Sequence, residues 1–284
     1  MRHAVRIVGW VLCAAGVVPV QALGFGADGH RITGYIAEAE LSAQARLELE
    51  AILGPHDLAD LALAADERRA EFQERWPDSP RWHYDDRLVC HPDLSVAEYC
   101  PGGACASAAI GRFRAILADR TAPREERAMA VLFLVHILGD IHQPLHAADN
   151  NDRGGNAVRV VLPGEQGTRS LHAAWDVDFV RLALKGRSPK EAEQAWRRRY
   201  AGDFARWRSG SQDTWMQESF ALATKVTYGE LPDWNCDTPP HEVVRLSAQY
   251  VEHVVALMPA QLAKAGIRIA TVLNEALTPP PPRP

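Results

Sequence analysis

The sequence predicts an all-α protein built as one domain, and three observations carry that expectation. Long stretches are rich in Ala, Leu, Glu and Arg with apolar residues at helical spacing, strand signal is almost confined to Ala157–Leu162, and neither an internal repeat nor a linker interrupts the chain. Taken in order, Arg31–Ala51 reads as a helix with Ile32, Tyr35, Ile36 and Ala39 on one face. Glu125–Gln143 is apolar enough to be a central, buried helix, Pro189–Arg208 is a charged one, and Trp215–Thr227 is another. His241–Leu277 reads as one or two long amphipathic helices broken near Pro259 and Gly266. Pro163-Gly164 ends the single strand segment, which is expected to form half of a small hairpin.

The ends of the chain are read separately. Arg2 and Arg6 precede an apolar run from Ile7 to Val20, and Ala22-Leu23-Gly24 supplies small residues before a cut. That is the layout of a secretory signal peptide over residues 1–24, with cleavage before Phe25 and a secreted or periplasmic destination. The run is shorter than the roughly 20 residues a membrane span needs, so no membrane association is expected. Residues 25–278 then form the one folded domain, and the Pro-rich residues 279–284 are expected to be disordered.

Composition narrows the function. An apolar fraction of 47% and a charged fraction of 24% are ordinary for a globular protein. The formal charge is −5 and falls to −7 once Arg2 and Arg6 leave, which argues against binding a polyanion through a broad basic surface. If phosphates are handled, a local charge such as bound metal must do it. The run Arg181–Arg208 carries nine Lys or Arg against three acids, and reads as a solvated helix face before a strand-tracking one. Cys90, Cys100, Cys105 and Cys236 remain after processing; an even count in an exported chain predicts two disulfides, with three pairings open.

The chemistry concentrates in Phe133-Leu-Val-His136-Ile-Leu-Gly-Asp140-Ile-His142-Gln-Pro-Leu-His146. His136 and Asp140 are four apart, about 40° from each other on one helical face. His142 turns to the other side and reads as structural, whereas Pro144 disrupts the helix and lets His146 swing back. Leu171-His172-Ala-Ala-Trp-Asp176 repeats the imidazole–carboxylate spacing. A lone pair of this kind is more often a hydrogen-bonded structural pair, but two pairs plus His146 in apolar surroundings point to metal. Burying that many polar groups without a strong partner costs several kcal/mol, and imidazole with carboxylate oxygen suits zinc. His56, His91, His241 and His253 have no ligand-like company and read as surface residues.

With these residues the chain resembles the zinc-dependent S1/P1 nucleases, which share a fold with bacterial zinc phospholipases C. The landmarks run in family order: Phe25-Gly-Ala-Asp-Gly-His30, Ala65-Asp66, Trp82-His83-Tyr84, His136 to His146, Gly154-Gly155-Asn156, Leu171 to Asp176, Trp215 with Glu218-Ser219, and Ala265 to Asn274. The resemblance implies the helical phospholipase C/P1 nuclease fold and three zinc ions. Asp66, His83, His136 and Asp140 would hold one; His146, His172 and Asp176 a second; His30, Asp140 and the free amino group and carbonyl of Phe25 the third. Phe25 stands where members usually carry Trp, as does Ala64, so packing near the cluster is where the chain departs from the pattern.

The implied activity is hydrolysis of single-stranded RNA and DNA to 5′-phosphorylated products, endo- or exonucleolytically, with 3′-nucleotidase action besides. Zinc brings bound water toward a pKa near 7. Asp66 and Asp140 belong to the catalytic machinery, and Arg69 matches the family arginine that braces charge developing on phosphorus, whereas Arg68 reads as a solvated neighbour. Asp86 matches an aspartate that binds a nucleobase edge and Tyr84 would supply a stacking face, against a plain alternative in which Tyr84 packs in the core and Asp86 caps a turn. A base received there must be splayed out, which favours single strands. The family arrangement implies disulfides Cys90–Cys236 and Cys100–Cys105, and a monomer is expected. A zinc phospholipase C is disfavoured by Asp176 in place of Glu and by Asp86, and a non-catalytic zinc-binding protein by Arg69.

Overall fold

A computed structural model describes residues 25–238 and 240–278; the signal-peptide reading of 1–24 and the reading of the tail at 279–284 lie outside these. The architecture is all-α. Its main helices are α1 (Gly26–Ala39), α2 (Ala43–Leu53), α3 (Ala106–Ala118), α4 (Arg124–Asp140), α5 (Pro189–Tyr200), α6 (Gln212–Leu222) and α7 (Ala248–Leu277). No helix among the described residues is long and apolar enough to cross a membrane.

Helix α4 is the axis of the molecule. Every residue from Ala130 to Asp140 is buried, as expected of a helix that is apolar all round. The consequence for the site is direct: His136 and Asp140 ride on a helix with no solvent face over that stretch. Phe133 on the same helix stacks on Phe113 at 4.7 Å and meets Trp82 edge-on at 5.2 Å. That aromatic packing anchors the 3₁₀ turn Ser79–His83 and so positions His83 beside α4.

Helix α7 ties the two halves of the core together. Its early residues Tyr250, Val254, Met258, Leu262 and Ile267 pack with Phe25, Ile32, Ile36, Trp175 and Phe179. Its later residues Ile269, Val272, Leu273 and Leu277 pack with the α2, α3 and α4 group. The break expected near Pro259 and Gly266 does not occur, because both residues lie inside one continuous 30-residue helix. Gly266 serves packing instead of interruption: a Cβ there would come within 2.5 Å of the Ile36 Cβ, so its absence lets α1 and α7 approach closely.

Other boundaries differ for identifiable reasons. The helix expected over Arg31–Ala51 begins earlier and is split at Glu40–Ser42. Ser42 caps α2 by accepting from the Ala45 amide, and its own amide donates to Asn274 Oδ1 across the fold. The charged helix ends at Tyr200 and resumes as Phe204–Arg208 after a 3₁₀ turn. Within it, Arg206 pairs with Asp203, while Arg197 and Arg208 both pair with Glu40 at the α1–α2 junction, so part of the basic run is neutralised.

The hairpin expected after Ala157 is present and gains a third short strand. Strand β1 (Arg159–Val161) pairs antiparallel with β2 (Arg169–Ser170) and parallel with β3 (Val244–Arg245). This small sheet delivers a site residue: Ser170, ending β2, caps the next turn by accepting from the Ala173 amide, and that turn carries His172. Disulfides join Cys90 to Cys236 and Cys100 to Cys105.

Candidate metal centre

The chain folds so that three segments meet beside the C-terminal end of α4. Asp140 is the last residue of α4; Pro144 then opens a 3₁₀ turn, Pro144–His146, held by Gln143 Oε1 accepting from the Leu145 amide at 2.6 Å. That turn brings His146 back toward the helix end. Asp176 sits in a π-helical turn, Ala174–Asp178, directly after the α-turn bearing His172. Such turns are rare and frequently fall at functional sites. A Cβ on Gly26 would lie 3.0 Å from the Asp176 carbonyl, so the start of α1 is seated against the same turn.

Three groups of potential ligands emerge. His30, Asp66 and His136 form one, His83, His136 and Asp140 another, and His146, His172 and Asp176 a third, each with its ligand atoms within 4.8 Å of one another. Asp140 belongs to the second group and reaches into the first: Oδ1 lies 3.2 Å from His30 Nε2, while Oδ2 lies 3.0 Å from His83 Nδ1 and 3.1 Å from His136 Nε2. Asp66 Oδ2 approaches His136 Nε2 at 3.6 Å, and the His30 ring stacks on His136 at 4.2 Å.

Tautomers follow from the hydrogen bonds. Nδ1 of His136, His146 and His172 donates to the carbonyls of Ala62, His83 and Gly154 at 2.7, 2.7 and 2.6 Å. In the neutral imidazole, Nε2 therefore carries a lone pair. Yet Nε2 of His146 and Nε2 of His172 face each other at 3.1 Å, with Asp176 Oδ2 3.3 Å from the latter. Two lone pairs and a carboxylate cannot satisfy one another, whereas a cation among them satisfies all three. Burial deepens the conflict: His30 Nε2, Asp66 Oδ1, Asp140 Oδ1 and Asp176 Oδ2 are buried without a hydrogen-bond partner among the described residues. The donor set and its orphaned atoms thus fit metal ions well.

The charges of these side chains are correspondingly strained. Burial pushes the Asp176 carboxyl well above the usual carboxylate range. Burial and the neighbouring His146 lower His172 to about 3. Burial opposes charge on His136 too, but Asp140 and Asp66 outweigh it and raise that imidazole to about 9. A cation supplies the positive charge this cluster otherwise seeks from protons.

Above the cluster opens a cleft of about 610 Å³ reached by His83, His146 and His172 and walled by Arg69, Tyr84, Asp86, Asp149, Arg153 and Asn156. Arg69 lies 3.8 Å from Asp66 and is a quarter exposed, so it reaches the cleft beside a candidate ligand. Arg68 instead pairs with Glu71 on the surface. Tyr84 and Asp86 both line the cleft and neither is fully buried, which departs from the core-packing and turn-capping alternative. Burial, then the nearby Asp149, pushes the Asp86 carboxyl up to about 6.

The remaining histidines have other partners. His142 is buried behind the cluster, its Nδ1 donating to the Leu138 carbonyl and its Nε2 accepting from Arg268. His91 and His253 pair with Asp237 and Glu230 at the surface. Phe25 is fully buried in the α1–α7 packing, with its carbonyl accepting from the Gly29 amide at 3.2 Å. Sequence reasoning missed Gln143, whose Nε2 donates to Asp176 Oδ1 at 2.7 Å. It also missed Asp149-Asn-Asn-Asp-Arg153, the part of the loop ahead of the Gly154-Gly155-Asn156 landmark, where the density of turn-forming residues was the available signal.

Facing, buried imidazole lone pairs beside carboxylates define a metal-binding protein. The chain belongs to the S1/P1 nuclease family, whose sequence model matches residues 25–278. It is 27% identical to nuclease P1 of Penicillium citrinum, over 88% of this chain and 97% of that protein, and 27% identical to nuclease S1 of Aspergillus oryzae, over 88% and 91%. Endonuclease 4 of Arabidopsis thaliana is 28% identical over 89% of each chain. The protein is accordingly a hydrolase, a nuclease acting on phosphodiester bonds.

Proposed function

We propose that this nuclease hydrolyses single-stranded RNA and DNA to 5′-phosphorylated products, that it also acts as a 3′-nucleotidase, and that three zinc ions serve the reaction. The observation that carries the metal reading is the approach of His146 and His172 through Nε2 atoms whose Nδ1 partners are both carbonyls. Asp66, His83, His136 and Asp140 would hold one ion; His146, His172 and Asp176 another; His30, Asp140 and the amino group and carbonyl of a processed Phe25 the third. When bound, zinc lowers the pKa of water to near neutrality and stabilises charge on a departing oxygen.

The chain's own residues do the rest. Asp140 reaches His30, His83 and His136 at once and so fixes the geometry of two sites. Arg69 donates to the phosphate oxygens as charge develops on phosphorus, held near the reacting centre by Asp66. A paired base presents neither its face to Tyr84 nor its edge to Asp86, so duplexes are poor substrates.

We further infer that residues 25–278 act as one catalytic domain, monomeric and exported. One chain supplies the whole cleft, and two disulfides suit an oxidising compartment. The test is digestion of single- and double-stranded DNA and RNA with analysis of product ends. Faster cleavage of single strands with 5′-phosphate ends supports the reading; equal rates on duplex and single strand, or 3′-phosphate ends, contradict it.

A further inference from the structure

We propose that Arg153 binds a phosphodiester of the substrate strand next to the one being cut, so that this nuclease gains affinity from a second phosphate. The inference rests on the nuclease reading and adds a contact outside the metal cluster.

The first observation is the backbone. Arg153 has φ +62°, a left-handed conformation that a long side chain rarely adopts, between Asn151 at +56° and Gly154 and Gly155 at +58° and +77°. A dense set of bonds imposes it. Asp149 Oδ1 accepts from the amides of Asp152 and Gly154 at 3.0 and 2.9 Å, and Asp152 Oδ1 accepts from the Gly155 amide at 2.7 Å. Tyr228 donates its hydroxyl to the same Asp152 oxygen at 2.8 Å, and Asn156 Nδ2 donates to the Arg153 carbonyl at 2.9 Å. Conformations of this kind persist only where the surroundings over-determine them, and they gather at functional sites.

The second observation is where this rigid loop puts the side chain. Gly154, the next residue, supplies the carbonyl that orients His172, so Arg153 is fixed next to a residue that positions a candidate ligand. Its side chain is exposed and lines the same cleft as Arg69 and Tyr84. Among the described residues it makes no ion pair and no hydrogen bond, unlike Arg69, Arg81 and Arg87 nearby. An unpaired guanidinium at the edge of a site that takes a polyanion is matched to a phosphate oxygen. Arg69 sits beside Asp66, whereas Arg153 belongs to the loop that holds His172, a ligand of a different group; Arg69 serves the cleaved phosphate, and Arg153 is left for the neighbouring one.

The experiment uses the metal-loaded, processed protein and the variants Arg153→Gly and Arg153→Lys. Glycine suits the left-handed backbone, so it removes the side chain while the loop remains. kcat/KM is measured on a single-stranded oligonucleotide and on a dinucleoside monophosphate, which has one phosphate only, across a range of salt. Arg153→Gly is expected to lose about tenfold on the oligonucleotide, mainly through KM, with a several-fold smaller loss on the dinucleoside monophosphate. The plot of log kcat/KM against log salt for the oligonucleotide should become shallower by about 0.7, one phosphate contact on a single strand. Arg153→Lys should restore that slope. An equal loss on both substrates, as a disturbed metal cluster would give, or an unchanged salt slope overturns the inference. If the unaltered protein cuts neither substrate, the nuclease reading itself fails.

Discussion

His146 and His172 meet through their Nε2 atoms at 3.1 Å, although they lie 26 residues apart and sit on separate turns. Each ring is fixed from behind by a carbonyl, that of His83 for one and of Gly154 for the other. The contact is repulsive for two neutral imidazoles and becomes attractive around a cation, so folding and metal binding are coupled at this point. Chelation is therefore expected to lower the unfolding midpoint as well as abolish activity. Differential scanning fluorimetry with and without chelator checks it; an unmoved midpoint would count against a metal in the core.

Asp140 reaches three histidines, from three different segments, with its two oxygens. Asp140→Asn should consequently release more metal than any other single ligand substitution, with two ions lost. Elemental analysis beside Asp176→Asn, which should release one, tests the difference. Equal stoichiometries in the two variants would show that Asp140 is not shared.

Gln143 is fully buried and holds Asp176 by one oxygen, leaving Oδ2 for the cation. Its own carbonyl is tied to the Leu145 amide, which fixes which end of the amide faces Asp176. Gln143→Leu keeps the volume and removes the donor. Metal at the His146 site should bind about 10- to 100-fold more weakly, as outer partners of metal ligands typically contribute. Competition with a zinc indicator reads this directly, and an unchanged affinity would refute the positioning role.

Asp86 carries a cost that the pH dependence of stability exposes. Burial raises its folded pKa to about 6 from the ordinary 3.8, so the unfolded chain releases this proton more readily. The folded state then binds more protons between those values, and stability falls as pH rises through the window. Asp86→Asn should stabilise the protein at pH 7 by about 1–2 kcal/mol after allowance for partial exposure, and by nothing once pH drops below the ordinary carboxyl range. The same variant should shift base preference on homopolymers. Denaturation at both pH values checks the first effect; a variant less stable at pH 7 contradicts it.

The two disulfides should differ in weight. Cys90–Cys236 closes a separation of 146 residues and Cys100–Cys105 one of 5. Chain entropy predicts that losing the long closure costs on the order of 3–5 kcal/mol and the short one about 2. Paired Cys→Ser variants measured by denaturant titration decide it, and an equal cost for both would contradict the ranking.

How much of this was legible in the sequence depends on the range of the interactions involved. The His136–Asp140 and His172–Asp176 spacings report a helical repeat, and Pro144 announces the turn that returns His146. These are local signals. The split at Glu40–Ser42 is fixed by Asn274, 232 residues away, and no local pattern encodes it. Pro259 and Gly266 read as breakers because propensity is local, whereas the packing of Ile36 against Gly266 is tertiary. Gln143 and Arg153 escaped for the same reason. Their importance lies in what faces them, Asp176 for one and the open cleft for the other.

The most direct measurement of the central claim is zinc content per chain in the exported protein, with its N-terminus sequenced, alongside a form that keeps one extra residue before Phe25. An extended chain replaces the terminal amine with an amide, whose nitrogen lone pair is delocalised and a poor ligand. Three zinc ions and full phosphodiesterase activity are expected in the protein that begins at Phe25, and two ions with little activity in the extended one. Full activity in a protein verified to hold no metal would contradict the account outright, and equal zinc and turnover in the two forms would contradict the role given to Phe25.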